Sequence, residues 1–94
     1  MHNLDTLLSG LRAAGEHTRL RILTLCSRGE LSVSELVQIL GQSQPRVSRH
    51  LKLMVEAGLL ERLPEGAQVY FRISDQDSSS SLAHALITLI PETD

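Results

Sequence analysis

Two short helices separated by three residues constrain the fold of this chain more than any other feature of its sequence. Ser32 and Glu35 have the spacing of a capping box, which predicts that the first helix begins just after Ser32. Gly41 is a common type of helix end, and Ser43 is a common N-cap for the helix that follows. Two helices joined across Gly-Gln-Ser predict a helix-turn-helix at about residues 33–57.

The hydrophobic pattern after these helices alternates instead of repeating at helical spacing. Val69, Phe71 and Ile73 alternate with more polar residues, as expected for a half-buried strand. Residues 64–66, Pro-Glu-Gly, are the predicted turn before that strand. A β-hairpin at about residues 59–74 therefore follows the second helix directly, which predicts a winged helix-turn-helix fold.

Three further helices are expected around this motif. Leucines at helical spacing predict one at about residues 3–14, and a second is expected to begin at His17 or Thr18. The inward side of the second is predicted to hold Leu20, Leu23 and Cys26, with Ile22 and Leu25 on a flank. A last helix, at about residues 78–90, is expected to be capped by Asp77 or a nearby serine. Its predicted apolar stripe is Leu82, Ala85, Leu86, Leu89 and Ile90.

These segments predict one domain, residues 1–94, that is mainly α with about five helices and a two-stranded wing. Aromatic residues are only 2% of the chain, so the core must be largely aliphatic. The apolar stripes of the terminal helices exceed what one small core can cover. We therefore expect a homodimer joined through these two helices.

Positive charge is concentrated in one part of an acidic chain. The formal net charge is −2, yet residues 43–72 contain five Lys or Arg and only three Asp or Glu. The rest of the chain has four basic and eight acidic residues. This distribution indicates a local partner with negative charge, which the overall isoelectric point would not reveal.

The second helix of the motif is expected to bury one face and expose a polar one. Val47, Leu51 and Met54 share the buried side at about 100° per residue. Arginine can pair with guanine, glutamine with adenine, and lysine with phosphate, so the polar side suits DNA. A solvated amphipathic helix is the alternative, which the adjoining turn and wing disfavour. The predicted DNA contacts on this helix are Gln44, Arg46, Ser48, Arg49 and Lys52.

Several other classes of protein are disfavoured by the sequence. Cys26 is the single cysteine, so it can form neither an intrachain disulfide nor a thiolate cluster, and it is expected to be a buried small residue. The chain lacks a Gly-rich phosphate loop and an evident cysteine–histidine pair, so we expect neither catalysis nor a cofactor. With no long apolar run and no signal peptide, the expectation is a cytoplasmic protein with no membrane partner.

Four segments together resemble the arsenic-repressor (ArsR) family of bacterial winged helix-turn-helix regulators. They are EHTRLRIL, GELSVSELVQILG, QSQPRVSRHLKLMVEAGLLERL and GAQVYFRI, and the resemblance extends over roughly residues 4–90. It implies a homodimer that represses transcription from a promoter until an effector releases it. It also implies that Gln44, Arg46, Ser48 and Arg49 read DNA.

The resemblance also allows the effector to be considered. Some members bind arsenite or soft metals through Cys-x-Cys at the third helix, where this chain has Ser32 and Ser34, which are poor ligands for a soft metal. Others bind metal through the last helices, where Asp75, Asp77 and a lone His84 are too few for a site. We therefore expect no metal site and an effector of another kind.

The wing departs from the family pattern, because Gly66 is followed by Ala67 and Gln68 instead of arginine. The remaining wing candidates for DNA contact are Arg62, Gln68 and Arg72.

The sequence also looks like the N-terminal domain of proteins in which an ArsR-type regulator precedes a methyltransferase. No methyltransferase motif is present, so a complete regulator and an excised domain both stay open. A winged helix that serves only protein interaction or dimerisation is a further alternative.

Overall fold

The computed structural model describes residues 3–75 and 78–91 of the chain. The helices are α1 (Leu4–Ala14), α2 (His17–Cys26), α3 (Val33–Leu40), α4 (Gln44–Glu56) and α5 (Ser78–Leu89). The strands are β1 (Leu31–Ser32), β2 (Leu60–Glu65) and β3 (Gln68–Ile73). The described residues thus form the predicted winged helix-turn-helix, with five helices and a three-stranded antiparallel sheet.

The predicted capping box at the start of α3 is confirmed. The Ser32 hydroxyl accepts a hydrogen bond from the Glu35 amide at 3.1 Å, and the Glu35 carboxylate accepts one from the Ser32 amide at 2.8 Å. The helix ends at Gly41, whose φ of 67° places it in the left-handed region. Glycine adopts this conformation without strain, so Gly41 ends α3 and begins the three-residue turn into α4.

The sheet contains a strand that the sequence did not reveal. The strand order is β1-β3-β2, with Leu31 opposite Phe71 and Ser32 opposite Tyr70. A strand of two residues is too short to produce an alternating pattern, so the sequence does not predict it. Since Ser32 also caps α3, this strand links the start of the helix-turn-helix directly to the wing.

The predicted position of the wing turn is wrong by two residues. Pro64 and Glu65 belong to β2, and the two-residue turn is Gly66-Ala67, closed by the pair Glu65 and Gln68. Gly66 has a φ of 60°, and hairpin turns of this length favour positive φ at this position. Proline is tolerated within β2 because this is an edge strand of the sheet.

The core lies where α2, α3, α4 and the sheet meet. Its fully buried large side chains are Ile22, Leu23, Leu36, Val47, Leu51, Met54 and Leu59. The prediction that Ile22 lies on a flank of α2 is wrong, because Ile22 is fully buried and Leu20 is only half-buried. Helix α2 contacts α4, β3 and α5, so a wider part of its surface is covered than one apolar stripe indicates.

The terminal helices pack against each other and leave apolar surface uncovered. At Gly10 of α1, a Cβ atom would lie only 2.5 Å from the Leu82 side chain of α5, so the two helices approach closely here. Leu4 and Leu89 are 75% and 77% exposed. Between residues 81 and 89, the part of α5 whose burial is described, Ala83 is fully buried and Ala85 is exposed, so the predicted stripe is partly wrong. The predicted cap Asp77 lies outside the described residues.

None of the helices within residues 3–75 and 78–91 combines the length and apolar character needed to cross a membrane.

We expect Gly41→Ala to lower the free energy of unfolding by about 1–2 kcal/mol, the usual cost of a left-handed conformation for a residue with a Cβ atom. A Cβ atom at Gly41 would meet nothing within 4 Å, so the effect would be conformational and not steric. Urea unfolding of the variant measures the change.

Gly41→Asn is the matched control, because asparagine tolerates this conformation better than alanine. The two variants should therefore differ, with asparagine closer to the wild type. Equal losses for both would contradict the conformational explanation.

Candidate nucleic-acid interface

Helix α4 is attached to the protein by one face only. Val47, Leu51 and Met54 are buried at successive turns and contact the core. The Ser43 hydroxyl caps the helix by accepting a hydrogen bond from the Arg46 amide, and Pro45 occupies the first turn, where its missing N–H has no helical partner to lose. The helix is thus held along its apolar side and at its N-terminus.

The opposite face of α4 presents four of the predicted DNA-contacting side chains to solvent. Gln44, Arg46, Arg49 and Lys52 are exposed, and Ser48 is half-buried beside them. The Gln44 amide donates a hydrogen bond to the Ser48 hydroxyl at 3.3 Å, across one helical turn. Hydrogen-bonding groups and positive charge are therefore combined on one accessible surface.

A groove between α4 and the wing adds Arg62 to this surface. The groove is about 370 Å³ in volume, and Ser48, Lys52 and Arg62 contribute its basic and polar lining. Arg62 lies opposite Phe71 in the hairpin and so projects from the sheet face that α4 covers. Glu56 is the acidic residue of the lining. The remaining lining residues are apolar: Val33, Leu51, Val55, Val69 and Phe71.

Arg72 is on the other face of the sheet and is engaged there. It lies opposite Glu61, and its guanidinium contacts the Glu61 carboxylate at 3.0 Å and that of Glu30 at 3.6 Å. The hydrogen bond to Glu61 raises the pKa of Arg72 above its ordinary value. The structure therefore separates Arg72 from the other predicted contacts, because strand alternation sends residues 62 and 72 to opposite faces.

Gln68 is exposed at the tip of the wing, opposite Glu65 and next to the turn. It shares the sheet face of Tyr70 and Arg72, since alternate residues of a strand point the same way. Gln68 is therefore accessible at the hairpin tip, but it is not part of the groove beside α4. A ligand bound to α4 would contact Gln68 only if that ligand extended to the tip of the wing.

Helix α4 is also tied to α2 by polar contacts that the sequence did not predict. Arg19 donates a hydrogen bond to Nδ1 of His50 at 3.1 Å, and its Nε atom donates to the carbonyl of Ala13. Before α4 begins, the Gln42 amide donates to the Thr18 hydroxyl at 3.1 Å. The partners are 31 and 24 residues apart, so no local pattern could have revealed these bonds.

The environment of His50 favours its neutral form. Burial lowers the pKa of His50, and the positive charges of Arg19, Arg46 and Arg49 lower it further, while Glu16 acts in the opposite direction. A neutral ring can accept the bond from Arg19 at Nδ1, which a protonated ring cannot. The hydrogen bond between Arg19 and His50 therefore depends on His50 remaining uncharged.

The residues that replace the thiolates of arsenite-binding members have other uses in this chain. Ser32 is buried and caps α3, and Ser34 is exposed. Burial raises the pKa of the Cys26 thiol to about 12, which keeps it protonated. Within the described residues, no three His, Cys, Asp or Glu side chains lie close enough to hold a metal ion.

The fold and this exposed basic helix define the class as a winged helix-turn-helix protein. Residues 16–62 match the model of the family described as "Bacterial regulatory protein, arsR family". The chain is 30% identical over 76 residues to the arsenical resistance operon repressor of Bacillus subtilis, covering 80% of this chain and 72% of that protein. The chain therefore belongs to the ArsR family of bacterial regulatory proteins.

Two further similarities place the chain within this family. It is 48% identical over 60 residues to the arsenical resistance operon repressor of Escherichia coli K12, covering 63% of this chain. The chain spans only 51% of the length of that repressor. A solved homodimeric winged helix-turn-helix DNA-binding domain from Mycobacterium bovis, a possible ArsR-family transcriptional regulator, superposes with a TM-score of 0.80 at 27% identity. That similarity covers 92% of this chain and 79% of the other.

We expect His50→Gln to reduce the loss of stability that occurs as the pH falls from about 7.5 to 5.5. Below the ordinary histidine pKa of about 6.5, the unfolded chain binds a proton that folded His50 resists, so acidification favours unfolding. Glutamine does not titrate and can still accept a bond from Arg19. Urea unfolding of both proteins at the two pH values measures this difference, and an unchanged pH dependence would contradict it.

Proposed function

We propose that this chain is a homodimeric, sequence-specific DNA-binding regulator that represses transcription from a promoter or operator. The observation that carries the proposal is the exposed polar face of α4, held rigidly by its buried opposite face and flanked by the wing. In helix-turn-helix proteins, the N-terminal part of the second helix contacts base edges in the major groove. Gln44, Arg46, Ser48 and Arg49 occupy that part of α4.

The proposed contacts divide into two groups with different consequences. Arginine and glutamine can make paired hydrogen bonds with guanine and adenine, which supports sequence readout by Gln44, Arg46 and Arg49. Lys52 and Arg62 line the groove between helix and wing, where a phosphate backbone would meet their charges. Gln68 is retained as a contact of the wing tip. Arg72 is omitted, since it is paired with Glu61 and Glu30 on the other face.

The exposed leucines of α1 and α5 support dimerisation. A symmetric dimer buries the same apolar patch twice, so two terminal helices with uncovered leucines are suited to such an interface. Two copies of α4 would then contact two half-sites of an operator. The Mycobacterium bovis domain, which is homodimeric, has the same fold.

The release of DNA is proposed to follow an effector that is not a soft metal bound by thiolates. The family members named for arsenical resistance set the expectation of such a metal. This chain has Ser32 and Ser34 at the third helix, and the Ser32 hydroxyl is engaged in capping. A neutral hydroxyl is a poor ligand for a soft metal, which favours a different effector.

We expect Arg49→Ala to weaken binding to the promoter DNA upstream of its own gene by about fivefold or more. A paired arginine–guanine contact contributes about 1–3 kcal/mol, which is roughly 5- to 150-fold in affinity. Fluorescence anisotropy over a series of salt concentrations measures the affinity, and circular dichroism confirms that the variant is folded.

Arg72→Gln is the matched control, because it removes the same charge from the opposite face of the sheet. Its affinity for the DNA should remain within threefold of the wild type. If both substitutions weakened DNA binding equally, the loss would reflect net charge alone, and the proposed interface on α4 would be contradicted. Undiminished binding by Arg49→Ala would remove Arg49 from the readout.

We expect Leu11→Glu to weaken dimerisation at least tenfold, since it places a charge in the proposed apolar interface. Sedimentation equilibrium over a range of concentrations measures the dimer dissociation constant. Ile39→Glu is the control, because Ile39 is 45% exposed and Leu11 41%, yet Ile39 lies on α3 away from the terminal helices. A wild-type protein that stays monomeric at every concentration would contradict the homodimer.

Two alternatives to a DNA-binding repressor that acts by itself each have an observation in their favour. Glu56 at the edge of the groove is compatible with a winged helix that binds only protein, and selection of no DNA site from a random library at low salt would favour that function. The other alternative, which the sequence resemblance to such fusions favours, is that this domain is the regulatory part of a longer methyltransferase protein. The gene sequence downstream of residue 94 tests that alternative.

A further inference from the structure

A second groove, separate from the α4 surface, lies between α2 and the end of α5. Its volume is about 330 Å³, at the lower end of the range of about 300–1,000 Å³ for small-molecule sites. Residues of α2 and Arg28 from the turn after it form one wall, and the end of α5 with the two residues after it forms the other. No residue of α4 or the wing is part of the lining, so a ligand here would not compete directly with DNA.

The groove combines an apolar interior with a positively charged rim. Leu20, Leu25 and Leu86 are half-buried and provide the apolar surface. Arg21 and Arg28 are exposed at the rim, one on each side of Leu25 in the sequence. The described lining contains no Asp or Glu, and neither guanidinium forms an ion pair within the described residues.

The setting of Arg21 and Arg28 differs from that of an ordinary solvated surface. Within the described residues Arg72 is the only arginine that forms an ion pair, so the lack of a carboxylate partner does not by itself distinguish these two arginines. Arg21 and Arg28 are distinguished because both border an apolar groove whose described lining contains no Asp or Glu. A guanidinium binds a carboxylate or phosphate through paired hydrogen bonds, while leucine side chains favour a hydrocarbon group.

We propose that the groove between α2 and α5 binds a small amphipathic anion, with its hydrocarbon part against the leucines and its acidic head at Arg21 and Arg28. The groove volume of about 330 Å³ lies in the range of small-molecule sites, which favours a small ligand over a protein segment. This ligand is the effector of the proposed regulator, and that role rests on the proposed function, whereas the binding site itself does not.

The position of α5 explains how a ligand in this groove would affect DNA binding by α4. Leu89 lines the groove and also belongs to the exposed leucines assigned to the dimer interface. A ligand between α2 and α5 therefore changes the packing of a helix that sets the relative position of the two protomers. The spacing of the two α4 helices depends on that position.

The binding site is tested without DNA by isothermal titration calorimetry with octanoate as the probe. We expect saturable binding of one octanoate per chain, with a dissociation constant on the order of 1 mM or tighter for a ligand of this size. Acetate, which lacks the hydrocarbon part, and 1-octanol, which lacks the charge, should each bind at least tenfold more weakly. Equal binding of 1-octanol, or no saturable binding of octanoate, would overturn the proposal.

Two double variants locate the site. Arg21→Gln with Arg28→Gln should weaken octanoate binding at least tenfold. The control, Arg12→Gln with Arg72→Gln, removes the same charge from α1 and β3, outside the groove lining, and should leave octanoate binding unchanged. Sedimentation of the unliganded proteins provides the second measurement. If the groove variant alters dimerisation and leaves octanoate affinity unchanged, the groove is a contact between copies of the chain and the proposal fails.

The effector role is tested separately by adding octanoate to the DNA complex. We expect release of DNA from the wild type and no release from the groove variant. Octanoate binding without any effect on DNA would overturn the effector role and leave the site intact. If the wild type binds no DNA at all, the proposed regulatory function fails, and calorimetry still decides whether the site exists.

Discussion

The burial of Val47, Leu51 and Met54 is the interaction on which the rest of the structure depends. These three side chains anchor α4 to the core, and each buried side chain of this size contributes about 1.5–3 kcal/mol. Because they occupy one face of the helix, the other face is free to carry residues that would be costly to bury. The same apolar spacing that stabilises the fold therefore determines which side chains reach a partner.

Hydrophobic contacts alone leave a helix some freedom to rotate or slide, and polar contacts restrict that freedom. The Arg19–His50 and Gln42–Thr18 hydrogen bonds connect α4 and the preceding turn to α2 at defined atoms. Helix α2 also forms one wall of the groove proposed to bind an anion. A structural connection thus extends from the groove, through α2, to the helix proposed to read DNA.

Local patterns predicted most of the fold, because most of its elements are specified by local interactions. The capping box, Gly41 and the spacing of the apolar residues on α4 each act within a few residues. The sequence could not reveal β1, whose partner is about 40 residues away, or the burial of Ile22, because four elements pack around α2. Proline usually marks a turn but is also tolerated in an edge strand, so the sequence predicts the turn of the wing too early in the chain.

The candidate interface shows the same division. Exposure of Arg46, Arg49 and Lys52 follows from the helical period, and exposure of Gln44 follows from its place at the N-terminus of α4. Arg72 was assigned from its residue type, but its pairing partners Glu30 and Glu61 come from different elements. Charge along the sequence indicates where a basic surface lies, whereas only the sheet register shows which arginine is already neutralised.

Ser32 has a mechanical consequence that extends beyond capping. It is the last residue of β1, where it lies opposite Tyr70 in the wing, and its hydroxyl starts α3. The hairpin and the helix-turn-helix are thereby joined at one residue, which pairs with β3 and also caps α3. A substitution that removes the Ser32 hydroxyl would therefore remove the cap of α3 at the same residue that joins this helix to the wing.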